Sequence, residues 1–265
     1  MKYSVLASGS RGNCTIVETS DRCLLVDLGL GPRVLARQLA RLGRTTDLVT
    51  DVFITHEHSD HISGLEHFCK RNVEANIFAT KGTCLSLPDT VRNRVTIISG
   101  GKPVRLGHTA VLPMAVSHDA AQPVGYRIHD NEGDLALVTD LGRFDDRLLG
   151  ALTGISALVV EANHDVDMLA RGPYPKHLKS RIFGPLGHLS NHQCADMVSR
   201  LVVTSGKLDI TLAHISETNN SKDHLVHLAN RLQAWGVQSV RLAPRRSVTG
   251  FVDLAKSAFT RGNRT

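Results

Sequence analysis

The sequence predicts an α/β protein whose interleaved strands and helices suit a sandwich of two mixed β-sheets with helices outside. Short apolar strand-like runs alternate with helix-patterned segments along the chain, and no linker interrupts them. At 265 residues with 42% hydrophobic content, the chain can fill a substantial core. The pattern holds no low-complexity segment and no solenoid period. One domain over residues 1–265 is therefore expected, with a disordered tail over 256–265.

The elements follow in order. Pro32 opens a stretch that puts Val34, Leu35, Leu39 and Leu42 on one face and closes at Gly43, the start and stop signals of a helix. Apolar runs at Asp51–Thr55, Asn76–Thr80, Thr109–Ser117, Pro123–Ile128, Leu135–Thr139 and Ala157–Glu161 read as strands. Asp130-Asn131-Glu132-Gly133-Asp134, between two of them, supplies a hairpin turn. Asn191–Ser205 and Lys222–Trp235 read as helices that flank the strand Ile210-Thr211-Leu212-Ala213, which ends at His214.

Composition narrows the function classes. No stretch approaches the roughly 20 apolar residues of a membrane span. The opening Met1-Lys2-Tyr3-Ser4-Val5-Leu6-Ala7 is too soon interrupted by Ser8-Gly9-Ser10 to read as a signal peptide. Cys14, Cys23, Cys69, Cys84 and Cys194 contain no Cys-x-x-Cys pair and are odd in number, so they read as thiols of a reducing cytoplasm. A net charge of +6 favours an acidic partner, modestly for this length. Basic residues gather at Arg241, Arg245 and Arg246 and again at Lys256, Arg261 and Arg264, which suits solvated surface and a frayed tail as well as it suits a partner. With aromatics at 4%, no base-stacking platform is visible, and contact with a nucleic acid would rest on phosphates.

Directly after Val52-Phe53-Ile54 comes Thr55-His56-Glu57-His58-Ser59-Asp60-His61, three imidazoles and two carboxylates in seven residues. Imidazole suits zinc, iron and manganese, and a carboxylate can be shared between ions. His56 and His58, two apart on extended chain, can point the same way and grip one ion. Asp60 and His61 fall where the chain turns into a helix and can grip a second. A solvated turn that happens to be rich in histidine is the competing reading, and His-x-His-x-Asp-His at a strand end is far more restrictive than that reading requires.

This motif resembles the signature of the metallo-β-lactamase fold, an αββα sandwich. The resemblance implies further ligands in order downstream, and the expected positions are filled. His118 follows Ala110–Ser117, Asp140 ends Leu135-Ala136-Leu137-Val138-Thr139, and His214 ends Ile210–Ala213. One ion would then be held by His56, His58 and His118, the other by Asp60, His61 and His214, with Asp140 bridging. Asp27, after Leu24-Leu25-Val26, would support a ligand histidine from behind. Two divalent ions (zinc, manganese or iron) sharing a hydroxide imply hydrolysis.

Further blocks extend the likeness over most of the chain. Ser4–Ser10 with Gly12-Asn13, Glu161–Asp165, Tyr174-Pro175, Leu178-Lys179, Arg181-Ile182, Gly187–Asn191 and His214–Asn220 resemble the WalJ/YycJ group, small bacterial 5′-to-3′ DNA exonucleases. Nothing between Asp140 and His214 is long enough for the cap domain of RNA-processing members of the superfamily. Arg11 stands where relatives usually carry a serine, and could attract phosphate or narrow the pocket.

The resemblance thus implies a phosphodiesterase acting on DNA. Asp60 and Asp140 would position the nucleophile, and His188 would protonate the leaving 3′-oxygen or make a structural hydrogen bond. Ser8, Ser10, Arg11 and Asn13 would present donors to a phosphate or form a plain glycine turn. Asn163 and His164 would shape the cleft or cap a loop; Ser190 and Asn191 would contact substrate or cap a helix. Two other functions fit the same scaffold: hydrolysis of a cyclic nucleotide, lactone or thioester, and a regulatory protein that keeps metal for stability. The remaining histidines, His67, His108, His129, His177, His192, His224 and His227, read as surface or packing residues.

Overall fold

A computed structural model describes residues 1–245 and 247–255; Arg246 and the expected tail over 256–265, with Lys256, Arg261 and Arg264, lie outside the described residues. The strands are β1 (Lys2–Ala7), β2 (Cys14–Glu18), β3 (Cys23–Val26), β4 (Asp51–Phe53), β5 (Asn76–Thr80), β6 (Val95–Ile98) and β7 (Val104–Leu106). They continue with β8 (Thr109–Ala115), β9 (Val124–Asp130), β10 (Gly133–Val138), β11 (Ala157–Glu161), β12 (Asp209–Ala213), β13 (Ser239–Leu242) and β14 (Val252–Asp253). Among the described residues they form two seven-stranded sheets, ordered β14-β1-β2-β3-β4-β5-β6 and β13-β12-β11-β10-β9-β8-β7.

The two sheets repeat one plan. β1, β2 and β3 pair antiparallel, and β3 to β6 then pair parallel. In the second sheet β7 to β10 are antiparallel and β10 to β13 parallel. Parallel neighbours need crossovers, and helices supply them. Pro32–Arg41 and Leu65–Arg71 cover the first sheet; Asn191–Ser205 and Lys222–Ala234 cover the second. None of the helices among the described residues is long and apolar enough to cross a membrane.

Side-chain alternation explains the layers. In β11, Ala157 and Val159 face the inter-sheet core while Leu158 and Val160 face the helices. The inter-sheet layer holds Phe53 stacked on Phe78 at 4.5 Å, with Tyr126 edge-on to Phe53 at 5.4 Å. The Tyr126 hydroxyl donates to the Ile54 carbonyl at 2.6 Å, pinning one sheet to the other immediately before the histidine motif. Truncating Phe53 to Ala would cost about 3–5 kcal/mol through the cavity it leaves.

Several boundaries differ from the sequence expectation for local reasons. β4 stops at Phe53 because the Thr55 N–H leaves the ladder and donates to the Asp27 carboxylate at 2.8 Å. The hairpin turn shrinks to Asn131-Glu132, since Asp130 Oδ1 accepts from Glu132 N at 2.8 Å and Gly133 N at 3.2 Å.

Candidate metal centre

The site grows from the carboxyl ends of the parallel strands. Asp27 follows β3, the His56–His61 segment follows β4, Asp140 lies two residues past β10, Glu161 is the last residue of β11, and His214 follows β12. Asp27, Asp140 and His214 take left-handed backbone, with φ of 61°, 57° and 48°. Such backbone costs roughly 1–3 kcal/mol per residue and persists only where the surroundings over-determine it. Here the sharp turn at each strand end swings a side chain from the sheet edge into the gap between the sheets. Gly29 permits the same crowding from outside, because a Cβ there would collide with the Asp60 carbonyl.

Seven side chains meet in that gap. His56, His58 and His118 offer nitrogens mutually within 4.8 Å, as do the ligand atoms of Asp60, His61 and His214, and Asp140 joins His56 and His61 in a third such group. His58 Nδ1 lies 3.1 Å from His56 Nε2 and 3.3 Å from His118 Nε2. Asp140 reaches both sets: its Oδ2 is 3.3 Å from His61 Nε2 in the second, and its Oδ1 is 3.9 Å from His118 Nε2 in the first.

The outward nitrogens are held. His61 Nδ1 meets Asp27 Oδ2 at 2.8 Å, His56 Nδ1 meets Thr55 Oγ1 at 2.9 Å, and His118 Nδ1 meets the Gly187 carbonyl at 3.2 Å. His214 Nδ1 faces Asn163 Nδ2 at 3.3 Å. Ligand imidazoles need this backing, because the second nitrogen's partner fixes tautomer and orientation. The inward atoms are the ones left over. Asp140 Oδ2 and His214 Nε2 are buried and have no hydrogen-bond partner, which costs about 1–3 kcal/mol apiece unless a cation supplies the partner. Nitrogen lone pairs converging on carboxylates fit divalent ions by donor type and by geometry.

Electrostatics reflect the same crowding. Burial, helped by His61, pushes the His56 imidazole down to about 2, so it stays neutral and available as a ligand. Burial also acts on His61, but Asp27 and Asp140 outweigh it and hold that imidazole well above the ordinary range. Burial alone would raise the Asp60 carboxyl; the neighbouring His214 and His61 imidazoles pull it well below the usual carboxylate range. Asp140 is lowered likewise against its own burial, chiefly by His214 and His61. Bound divalent ions would replace the proton on His61 and compensate these carboxylates.

A family profile described as beta-lactamase superfamily domain matches residues 22–208. The chain belongs to the beta-lactamase superfamily. It is 38% identical over 227 residues to "Exodeoxyribonuclease YycJ" of Bacillus anthracis, covering 84% of this chain and 85% of that one. It is 36% identical over 233 residues to "Exodeoxyribonuclease WalJ" of Streptococcus pneumoniae, covering 86% of each. Among solved structures it resembles the metallo-β-lactamase fold protein YhfI of Bacillus subtilis, with a TM-score of 0.69 at 16% identity over 93% of this chain and 98% of that one.

On this superfamily scaffold the residues expected at the substrate face divide. Ser10 and Arg11 are exposed at the tip of a turn. Ser8 is buried and its Oγ accepts from His214 N at 2.7 Å, holding the strained backbone. Asn13 is buried too; its N–H donates to the Asp60 carbonyl at 2.7 Å and its Nδ2 lies 3.1 Å from Asp60 Oδ2. Four other residues named for the substrate face lie in structural surroundings. Ser190 closes a capping box with Gln193, and Asn191 pairs with Asn220 at 3.1 Å. Asn163 donates to the His214 carbonyl at 2.9 Å, and His164, buried against Phe183, is driven down to about 4 by that burial. Polar residues after a strand serve caps and buried networks as readily as ligands; Ser190, Asn191 and Asn163 do the former here, while both His164 ring nitrogens are buried without a hydrogen-bond partner.

His188 sits over the cluster, stacked at 5.1 Å on His214, with Nδ1 3.1 Å from Glu161 Oε2 and 3.7 Å from Asp140 Oδ1. Burial opposes its charge, but Glu161 and Asp140 prevail and raise it to about 9. Sequence reasoning gave no role to Glu161, whose Oε1 also accepts from Leu141 N at 2.6 Å and Leu189 N at 2.9 Å. It also missed Asp119 and Arg181. Asp119 Oδ1 stands 3.3 Å from His118 Nε2, and its other oxygen holds the half-exposed Arg181 guanidinium at the cluster's mouth. The available signals were an acidic residue closing an all-apolar strand and an arginine inside a family block.

Proposed function

We propose that the chain is a metal-dependent DNA exonuclease that works from the 5′ end of a strand with two divalent ions, zinc, manganese or iron. The observation that carries this reading is the joint one: identity of 36–38% over about 85% of the chain with two named exodeoxyribonucleases, and ligand groups converging in two sets around Asp140. His56, His58 and His118 would hold one ion, and Asp60, His61 and His214 the other, with Asp140 reaching both. When bound, such ions lower the pKa of a water and neutralise charge on a phosphoryl group.

The chain's own residues then act around the phosphate. Asp60 and Asp140 accept hydrogen bonds from the attacking water and aim it. His188, kept protonated by Glu161, lies on the same wall and donates its proton to the departing 3′-oxygen. Arg181, steadied by Asp119, presents its free guanidinium edge to a neighbouring phosphate.

Purified protein supplied with Mn²⁺ or Zn²⁺ should shorten labelled DNA from the 5′ end, and Asp60→Ala combined with Asp140→Ala should abolish this. Intact DNA alongside rapid cleavage of a small ester would replace the substrate assignment.

A further inference from the structure

On the Asp60 and His214 side of the cluster lies an open recess of about 300 Å³, lined by the turn Ser8-Gly9-Ser10-Arg11-Gly12 and by Ile215, Glu217 and Arg245. Two bonds tie it to the cluster: Ser8 Oγ accepts from His214 N, and Asn13 N donates to the Asp60 carbonyl, each at 2.7 Å. Gly12 N–H closes the turn on the Gly9 carbonyl at 3.0 Å and sets Ser10 and Arg11 at its exposed tip.

Glu217 stands between two guanidinium groups, its carboxylate 3.8 Å from Arg11 and 3.5 Å from Arg245. Arg245 is further fixed by donating to the Ile215 carbonyl at 3.1 Å. Two cations on one carboxylate leave the recess positive. The carboxylate also marks a point that both arginines reach at once, which is the position an anion would take. With side chains 70%, 46% and 37% exposed for Arg11, Glu217 and Arg245, these pairs add little stability, and Glu217 can swing into water at small cost.

We propose that this recess receives the terminal phosphate at the 5′ end of a nucleic-acid strand, which displaces Glu217 and bridges Arg11 and Arg245. The inference rests on the nuclease reading above and deepens it. A terminal phosphomonoester carries about −1.5 to −2 charge near neutral pH, whereas an internal phosphodiester carries a single charge. Exchanging a carboxylate for a diester gains nothing in charge; exchanging it for a monoester gains attraction to both guanidiniums, with oxygens enough to meet each fork. Glu217 is thereby a specificity residue: it screens the arginines from internal phosphates and yields to a strand end. Seating that end beside the metal cluster confines hydrolysis to the terminus.

The test uses metal-loaded protein and short single-stranded DNA with cleavage-resistant phosphorothioate linkages, bearing either a 5′-phosphate or a 5′-hydroxyl. Equilibrium binding by fluorescence anisotropy should favour the phosphorylated strand by roughly tenfold, the scale of a charge-assisted contact. Arg11→Ser and Arg245→Ser should each erase most of that preference, and Glu217→Gln should narrow it by tightening the 5′-hydroxyl strand. Inorganic phosphate should compete away the preference and leave the 5′-hydroxyl affinity in place. Equal affinity for the two strands, or a preference that survives both arginine substitutions, overturns the recess. Degradation of ordinary DNA by the same preparation reports separately: phosphate-selective binding by a protein that leaves DNA intact upholds the recess and rejects the nuclease reading.

Discussion

The metal cluster and the recess beside it share a wall but obey opposite rules. In the cluster, charged groups other than the half-buried Asp60 are buried, backed by hydrogen bonds, and mounted on strand ends whose backbone is left-handed at Asp27, Asp140 and His214. In the recess, Arg11, Glu217 and Arg245 are solvated and loosely paired on loops. The difference separates two tasks. Holding ions demands positions fixed by the sheets themselves, and the strain is tolerated because the cores on either side over-determine it. Recognising a flexible polyanion needs charge that can rearrange, so it sits where rearrangement is inexpensive.

Substitutions can break that division or sharpen it. Among residues outside the ligand set, the largest effect is expected at Glu161, which serves the cluster without facing solvent: Glu161→Gln should lower kcat by roughly 10²-fold, the scale of general acid–base assistance, with KM for DNA nearly unchanged. A KM effect instead would place Glu161 with the substrate-facing groups. Asp27→Asn comes next. Loss of the carboxylate behind His61 should weaken metal affinity by about 10–100-fold while circular dichroism stays native; undiminished metal uptake would show that strand-end geometry alone holds the site.

Acidity probes the cluster without metal. His188 in the fold titrates at about 9, against roughly 6.5 for an unfolded histidine. Its contribution is therefore complete below about pH 6.5 and is lost as pH rises through about 9. The thermal midpoint of metal-free protein should fall over that interval, and His188→Gln should flatten the fall; parallel curves would deny the Glu161 contact its charge. The smallest effect belongs to the rim. Arg181→Met should raise KM for DNA by about threefold, as for an exposed charge pair, and reduce the salt dependence of binding, with kcat little altered.

The sequence made the cluster readable because its signature is contiguous and each later member closes an apolar strand, as Asp140 and His214 do. Strands as regular as β5 and β11 were readable from their pattern, and the sandwich that assembles them came from the family resemblance. What stayed hidden depends on neighbours in space. β6 has two exposed positions in four residues and β7 has three residues in all, too little pattern to register. Glu161 reads as the polar end of a strand until its burial between Leu141, His188 and Leu189 is seen. Ser190 and Asn191 sit in a family block; Ser-x-x-Gln spacing marks the capping box that engages Ser190 with Gln193, whereas no local spacing singles out Asn220, 29 residues on, as the partner of Asn191.

The most direct test is elemental analysis and nuclease assay on one preparation, before and after chelation. Metal content and DNA degradation should fall together, return together when Mn²⁺ or Zn²⁺ is restored, and stay absent in Asp140→Asn. Full activity in the metal-free protein, or a full complement of metal with DNA untouched, would contradict the account.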